Sequence, residues 1–114
     1  MATKIVISKK DEKIVSICVS GHTGFADSGS DILCASISAI IQTASLGILK
    51  LVSKNVDIIS NDEPPKFKIT LPDNLSSDKY LQAKLILDTA ILGLEDLQSG
   101  YPKYIKMEVK NDVY

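Results

Sequence analysis

The chain has no arginine and only one histidine, and each scarcity narrows what it can do. All 13 basic residues are lysines, set against 14 acidic ones for a net charge of −1. There is no basic tract, so a nucleic acid bound through its phosphates is disfavoured as the main ligand. Two cysteines in 114 residues are too few for a disulfide framework. The start, Met1-Ala2-Thr3-Lys4-Ile5, lacks the apolar stretch of a secretory signal, so the two thiols read as reduced, in a cytoplasmic protein. Side chains able to do covalent chemistry are therefore few. They reduce to His22 and the two cysteines, Cys18 and Cys34.

What is present reads as one domain, residues 1–114, of the α+β class. Residues 3–9 alternate, with Ile5 and Ile7 on one side. Residues 13–20 alternate again, with Val15, Ile17 and Val19 opposed to Ser16, Cys18 and Ser20. The polar stretch Lys9-Lys10-Asp11-Glu12 makes the two a hairpin. A helix follows, capped by Ser30 or Asp31 and ending near Lys54. Its apolar face carries Leu33, Ile37, Ile40, Ile41, Ala44, Ile48 and Leu51, beside a polar stripe of Asp31, Cys34, Ser38, Gln42 and Ser45. Ile32 to Leu49 holds no charge and approaches the length of a membrane span. Its serines, threonine and glutamine argue instead for a central helix covered by a sheet or a partner, with no membrane.

Val56, Ile58 and Ile59 predict a third strand. Asn61-Asp62-Glu63-Pro64-Pro65 reads as a loop, because prolines remove ladder donors. Phe67, Ile69 and Leu71 predict a fourth strand. A second helix, capped by Ser76 or Ser77, runs from about Asp78 to Gln98 with Leu81, Leu85, Ala90, Ile91, Leu94 and Leu97 as its apolar face. Gly100 and Pro102 stop it. Lys103 to Lys110 closes the fold with Ile105, Met107 and Val109 inward. The order is ββαββαβ, two helices packed against a mainly antiparallel sheet.

His22 ends the second strand, and Cys34 falls in the first turn of the first helix. A helix N-terminus carries about half a positive charge, which favours a thiolate, and an imidazole can take the thiol proton or pair with the resulting ion. Gly21 permits an unusual backbone beside the histidine. Backbone N–H groups at the helix start are expected to be free for an oxyanion. Residues 23–30, with two glycines and one large apolar residue, Phe25, predict the least ordered segment, one that closes over a peptide. A zinc site on Cys18, His22 and Cys34, with Asp27 or Asp31, is the metal alternative. It lacks the paired-cysteine spacing such sites use, and no metal or cofactor is expected.

The run Ser20-Gly21-His22-Thr23-Gly24-Phe25-Ala26, followed by Gly29-Ser30-Asp31-Ile32-Leu33-Cys34-Ala35-Ser36-Ile37-Ser38, resembles the ribosomal-processing cysteine protease family, Prp. Length and element order fit as well. The resemblance implies a Cys34–His22 catalytic pair and a homodimer. The implied substrate is a ribosomal protein precursor, large-ribosomal-subunit protein twenty-seven, whose N-terminal extension is removed after an aromatic pair. Gly21, Asp31 and Ser38 are candidates for support or substrate contact. Asp31 reads either as a helix cap or as a third catalytic member orienting His22, and Ser38 either touches substrate or packs. Cys18 reads as structural. Thr23, where the family has alanine, and Ser36 depart from the pattern, but both are small and are expected to touch neither nucleophile nor base. A non-catalytic module that binds a basic ribosomal protein tail is the alternative function.

Overall fold

The computed structural model describes residues 2–24, 26 and 31–112. Its order is β1 (Thr3–Lys10), β2 (Lys13–Ser20), α1 (Ile32–Leu51), β3 (Asp57–Asp62), β4 (Pro65–Thr70), α2 (Ser77–Gly100) and β5 (Ile105–Lys110). The five strands form one sheet in the order β3-β4-β2-β1-β5. The β1–β2, β2–β4 and β3–β4 pairings are antiparallel, while β5 lies parallel to β1. The expected ββαββαβ arrangement on a mainly antiparallel sheet is what forms.

Side-chain alternation explains the two layers. Ile5 stands opposite Val19, Ile7 opposite Ile17, and Ile17 opposite Ile69, so one face of the sheet is aliphatic. Both helices supply the cover: Leu33, Ile37, Ile41 and Ile48 from α1, and Ala83, Leu87 and Leu94 from α2, are buried in the same cluster. Truncating any fully buried member such as Ile41 or Leu87 to alanine is expected to remove about 2–5 kcal/mol of stability. The other face carries Lys4, Lys66, Lys106 and Glu108, with Lys4 Nζ 3.3 Å from Glu108 Oε2. That pair is half exposed and contributes about 1 kcal/mol at most. The uncharged run of α1 is thus explained by a core facing both a sheet and a second helix.

Several expectations need correction. Val15 does not point inward: it is the extra residue where the β1–β2 register shifts, Ile14 takes the core position, and the Val15 carbonyl accepts the Leu71 N–H at 2.9 Å. The loop at 61–65 is shorter than expected. Asn61 and Asp62 pair with Lys66 and Pro65, because β3 is an edge strand and Pro65 is the first residue of β4, where a missing N–H is tolerated. Helix α1 stops at Leu51 with Val52 as its cap, short of Lys54. Leu51, Leu81, Leu85 and Val109 are exposed. On α2 the expected Ala90 and Leu94 are buried, but they are joined by Ala83 and Leu87 rather than by Leu81 and Leu85. The segment expected to close over a peptide, residues 23–30, lies largely outside the described residues.

Candidate active site

The end of β2 is clamped on both sides. Gly21 N–H donates to the Pro65 carbonyl at 3.0 Å, and the buried Thr3 hydroxyl donates to the Gly21 carbonyl at 3.0 Å. Gly21 itself has φ +82°, and a Cβ there would come within 3.3 Å of the Ala2 carbonyl oxygen. Only glycine meets that backbone and that approach without strain. Two hydrogen bonds and one glycine thereby fix where the next residue, His22, is presented.

His22 and Cys34 line a single open cavity of about 410 Å³. Gly21, Ile37, Ser38 and Gln42 line it with them. The tip of the β3–β4 hairpin, including Asn61, Asp62, Glu63, Lys66 and Phe67, supplies another wall. Ser38 and Gln42 follow Cys34 by one and two helical turns, so the polar stripe of α1 is the cavity's helical wall as far as Gln42. Ser45, the next member, leaves the cavity: it is buried and its hydroxyl donates to the Ile41 carbonyl at 2.8 Å.

Cys34 is held from two directions. Asp31 is the N-cap of α1, and its Oδ1 accepts the Cys34 N–H at 2.9 Å. Its Oδ2 accepts the hydroxyl of Thr23. Thr23 is fully buried, its N–H donates to Cys34 Sγ at 3.3 Å, and the thiol in turn donates to Thr23 Oγ1 at 3.6 Å. Burial works against the ionised Asp31 carboxyl. Donors from Thr23, Cys34 and Leu33 outweigh it and hold the group below the ordinary carboxylate value.

Two readings of this region change. Thr23 does touch the nucleophile candidate, through both its backbone and its side chain. Ser36 does not: its exposed hydroxyl donates to the Ile32 carbonyl at 2.8 Å. The helix-start N–H groups of Leu33, Cys34 and Ala35 are also not free, since the first two meet the Asp31 carboxylate and Ala35 N–H donates to the Asp31 carbonyl at 3.1 Å. Asp31 is therefore a cap that also binds Thr23. Among the described residues no hydrogen bond joins it to His22.

The zinc alternative does not assemble. Cys18 stands opposite Val6 and Lys68, on the sheet face turned away from the helices, while Cys34 lines the cavity. Asp27 lies outside the described residues. What the sequence reading missed is Thr23, Gln42 and the β3–β4 tip. Gln42 was signalled by its spacing from Ser38. The tip was hidden because its contact with β2 is made across the sheet.

A thiol and an imidazole opening on one peptide-sized cleft, on a two-layer α+β frame, are the parts of a cysteine protease. Residues 2–106 match the family described as cysteine protease Prp, and the chain belongs to that family. A ribosomal processing cysteine protease Prp of Staphylococcus aureus is 27% identical over 110 residues, covering 96% of this chain and 100% of that one. The protein of the same name from Mycoplasma pneumoniae is 33% identical over 94 residues, covering 81% of this chain and 84% of that one. A crystal structure of the Staphylococcus aureus protease in complex with a covalently linked product peptide superposes with a TM-score of 0.83 at 29% identity, covering 95% of this chain and 99% of that one. The chain is a cysteine protease of the ribosomal-processing family.

Proposed function

We propose that the whole chain acts as one endopeptidase domain that removes the N-terminal extension of large-ribosomal-subunit protein twenty-seven, with Cys34 as nucleophile and His22 as its base. The observation that carries this reading is the convergence of His22 and Cys34 on one cavity. Imidazole takes the thiol proton, and sulfur attacks the scissile carbonyl carbon. As the tetrahedral intermediate collapses, the C–N bond breaks and the imidazolium returns its proton to the leaving amine. Water, deprotonated by the same imidazole, then cleaves the thioester and releases the new carboxylate. Gly21 leaves room beside the histidine for an extended peptide, Asp31 holds the helix end that carries the sulfur, and Ser38 contacts substrate from the next turn.

The substrate reading is supported by the Staphylococcus aureus relatives, which are ribosomal processing proteases, one of them in complex with a covalently linked product peptide. A ribosomal substrate places the enzyme in the cytoplasm, acting on a peptide rather than on nucleic acid or at a membrane. The test is cleavage of a synthetic extension peptide followed by mass spectrometry. Cys34→Ala is expected to abolish it with the fold intact, His22→Ala to lose at least about a hundredfold in rate, and Cys18→Ala to stay active. Undiminished cleavage by Cys34→Ala overturns the mechanism, and tight peptide binding without cleavage by the unaltered chain points to the binding module instead.

The chain is further proposed to work as a two-fold homodimer. Leu51 and Leu85 are 78% and 70% exposed, beside a groove of about 740 Å³ between the helices lined by Ile40, Gly47, Ile86 and Gly93. Such a patch is more apolar than solvent-facing helices carry by chance. Light scattering at micromolar concentration is expected to give twice the chain mass, and Leu85→Lys to shift it toward the monomer.

A further inference from the structure

We propose that the Thr23 hydroxyl is a latch on Cys34, holding the proton on the resting sulfur and the thiol in one orientation. This rests on the reading of Cys34 as the nucleophile. The geometry sets the direction of the hydrogen bonds that the Thr23 hydroxyl makes with Asp31 and Cys34. A hydroxyl has one donor and two acceptor sites. The Thr23 hydroxyl spends its donor on Asp31 Oδ2, in a charge-assisted bond that outranks a neutral one. Toward sulfur it can then offer only lone pairs, so the 3.6 Å contact is S–H donating to Oγ1, with the Asp31 carboxylate as the thiol's other acceptor. The result is a directed chain, Cys34 S–H to Thr23 O–H to Asp31 carboxylate.

That chain favours the protonated sulfur. When the thiol proton leaves for His22, a sulfur anion faces the negative end of the Thr23 O–H dipole, and among the described residues the Thr23 N–H, 3.3 Å away, is the hydrogen bond that remains to set against it beside the imidazolium. Thr23 is fully buried, so water does not easily replace the hydroxyl. The shifted acidity of Asp31 agrees with this order, since the carboxylate is the stronger acceptor and stays ionised. Thr23 is accordingly a positioning residue. It sets how readily the resting thiol reacts and takes no part in bond breaking.

The test uses the full chain carrying Cys18→Ala, so that Cys34 is the only thiol, and follows alkylation by iodoacetamide. Near pH 7, Thr23→Val and Thr23→Ala are expected to react about threefold or more faster than the parent, the worth of one lost hydrogen bond. Thr23→Ser keeps the hydroxyl and is expected to match the parent. At about pH 10.5, above the ionisation of ordinary thiols, all four rates are expected to converge. Equal or slower reaction of Val and Ala at pH 7, Ser behaving like Val, or a rate gap that persists at high pH overturns the latch; the last outcome marks a loosened helix end instead. No peptide enters this measurement. A chain that never cleaves the extension peptide removes the protease reading and leaves the alkylation ratios standing, whereas normal cleavage with flat ratios removes the latch alone.

Discussion

At the start of α2 the Ser76 hydroxyl accepts the Lys79 N–H at 3.3 Å, exposed to solvent. At the start of α1 the Asp31 carboxylate accepts the Cys34 N–H at 2.9 Å, and its second oxygen reaches back to the segment that follows β2. The two caps satisfy the same orphan donor, three residues into each helix. Lys79 gains a helix end from this. Cys34 gains a fixed position relative to a second element of the fold. A carboxylate offers two oxygens at a set angle, so it can end a helix and hold a neighbour at once, and the helix start becomes a site when the cap is tied to something else.

The sharpest way to break this comparison is to truncate the third residue of each helix. Cys34→Ala is expected to lower peptide cleavage by more than about a thousandfold, while Lys79→Ala stays within about twofold of the parent. A large loss from Lys79→Ala would make helix-end integrity, rather than the thiol, the source of activity. The caps come next. Asp31→Ala is expected to lower unfolding free energy in denaturant by about 2 kcal/mol, near the top of the range for caps, and Ser76→Ala by about 0.5 kcal/mol, near its bottom. Equal losses would mean that the Thr23 bond adds nothing.

The smallest expected effect is in acid. The folded Asp31 carboxyl ionises below its ordinary value of 3.8. Its stabilising contribution is therefore full above that pH and is lost as pH falls through the folded value. Asp31→Asn is expected to show a shallower fall in stability below about pH 4 than the unaltered chain, whereas Ser76→Ala, which alters no titrating group, keeps the parental slope. Thermal unfolding across pH 2.5–6 gives the three slopes.

Much of this arrangement was legible in the residues. Period-two alternation placed Ile5, Ile7, Ile17 and Val19 on one sheet face, and the cap signals at Asp31 and Ser76 were read within a residue. The Gly21-His22 and Cys34 spacing located the cavity. What failed did so where two patterns were equally good. Helix α2 is apolar on more than one side, with Leu81, Leu85 and Leu92 exposed and Leu87 and Leu94 buried, and periodicity alone does not choose which stripe meets the sheet. Val15 fits strict alternation until a bulge inserts it. Thr23 lies 11 positions from Cys34, and no periodicity in the sequence pairs the two.

Thr3 joins the two ends of the fold beside the site. Its N–H donates to the Tyr104 carbonyl at 2.9 Å and its hydroxyl holds the Gly21 carbonyl, while β5 lies along β1 in parallel from Thr3 opposite Ile105. The strand that steadies the histidine's backbone is thus itself paired with the strand that follows α2. A nascent chain carries His22 and Cys34 before β5 exists, so the strand pair that anchors them closes only after α2 and β5 have both been made.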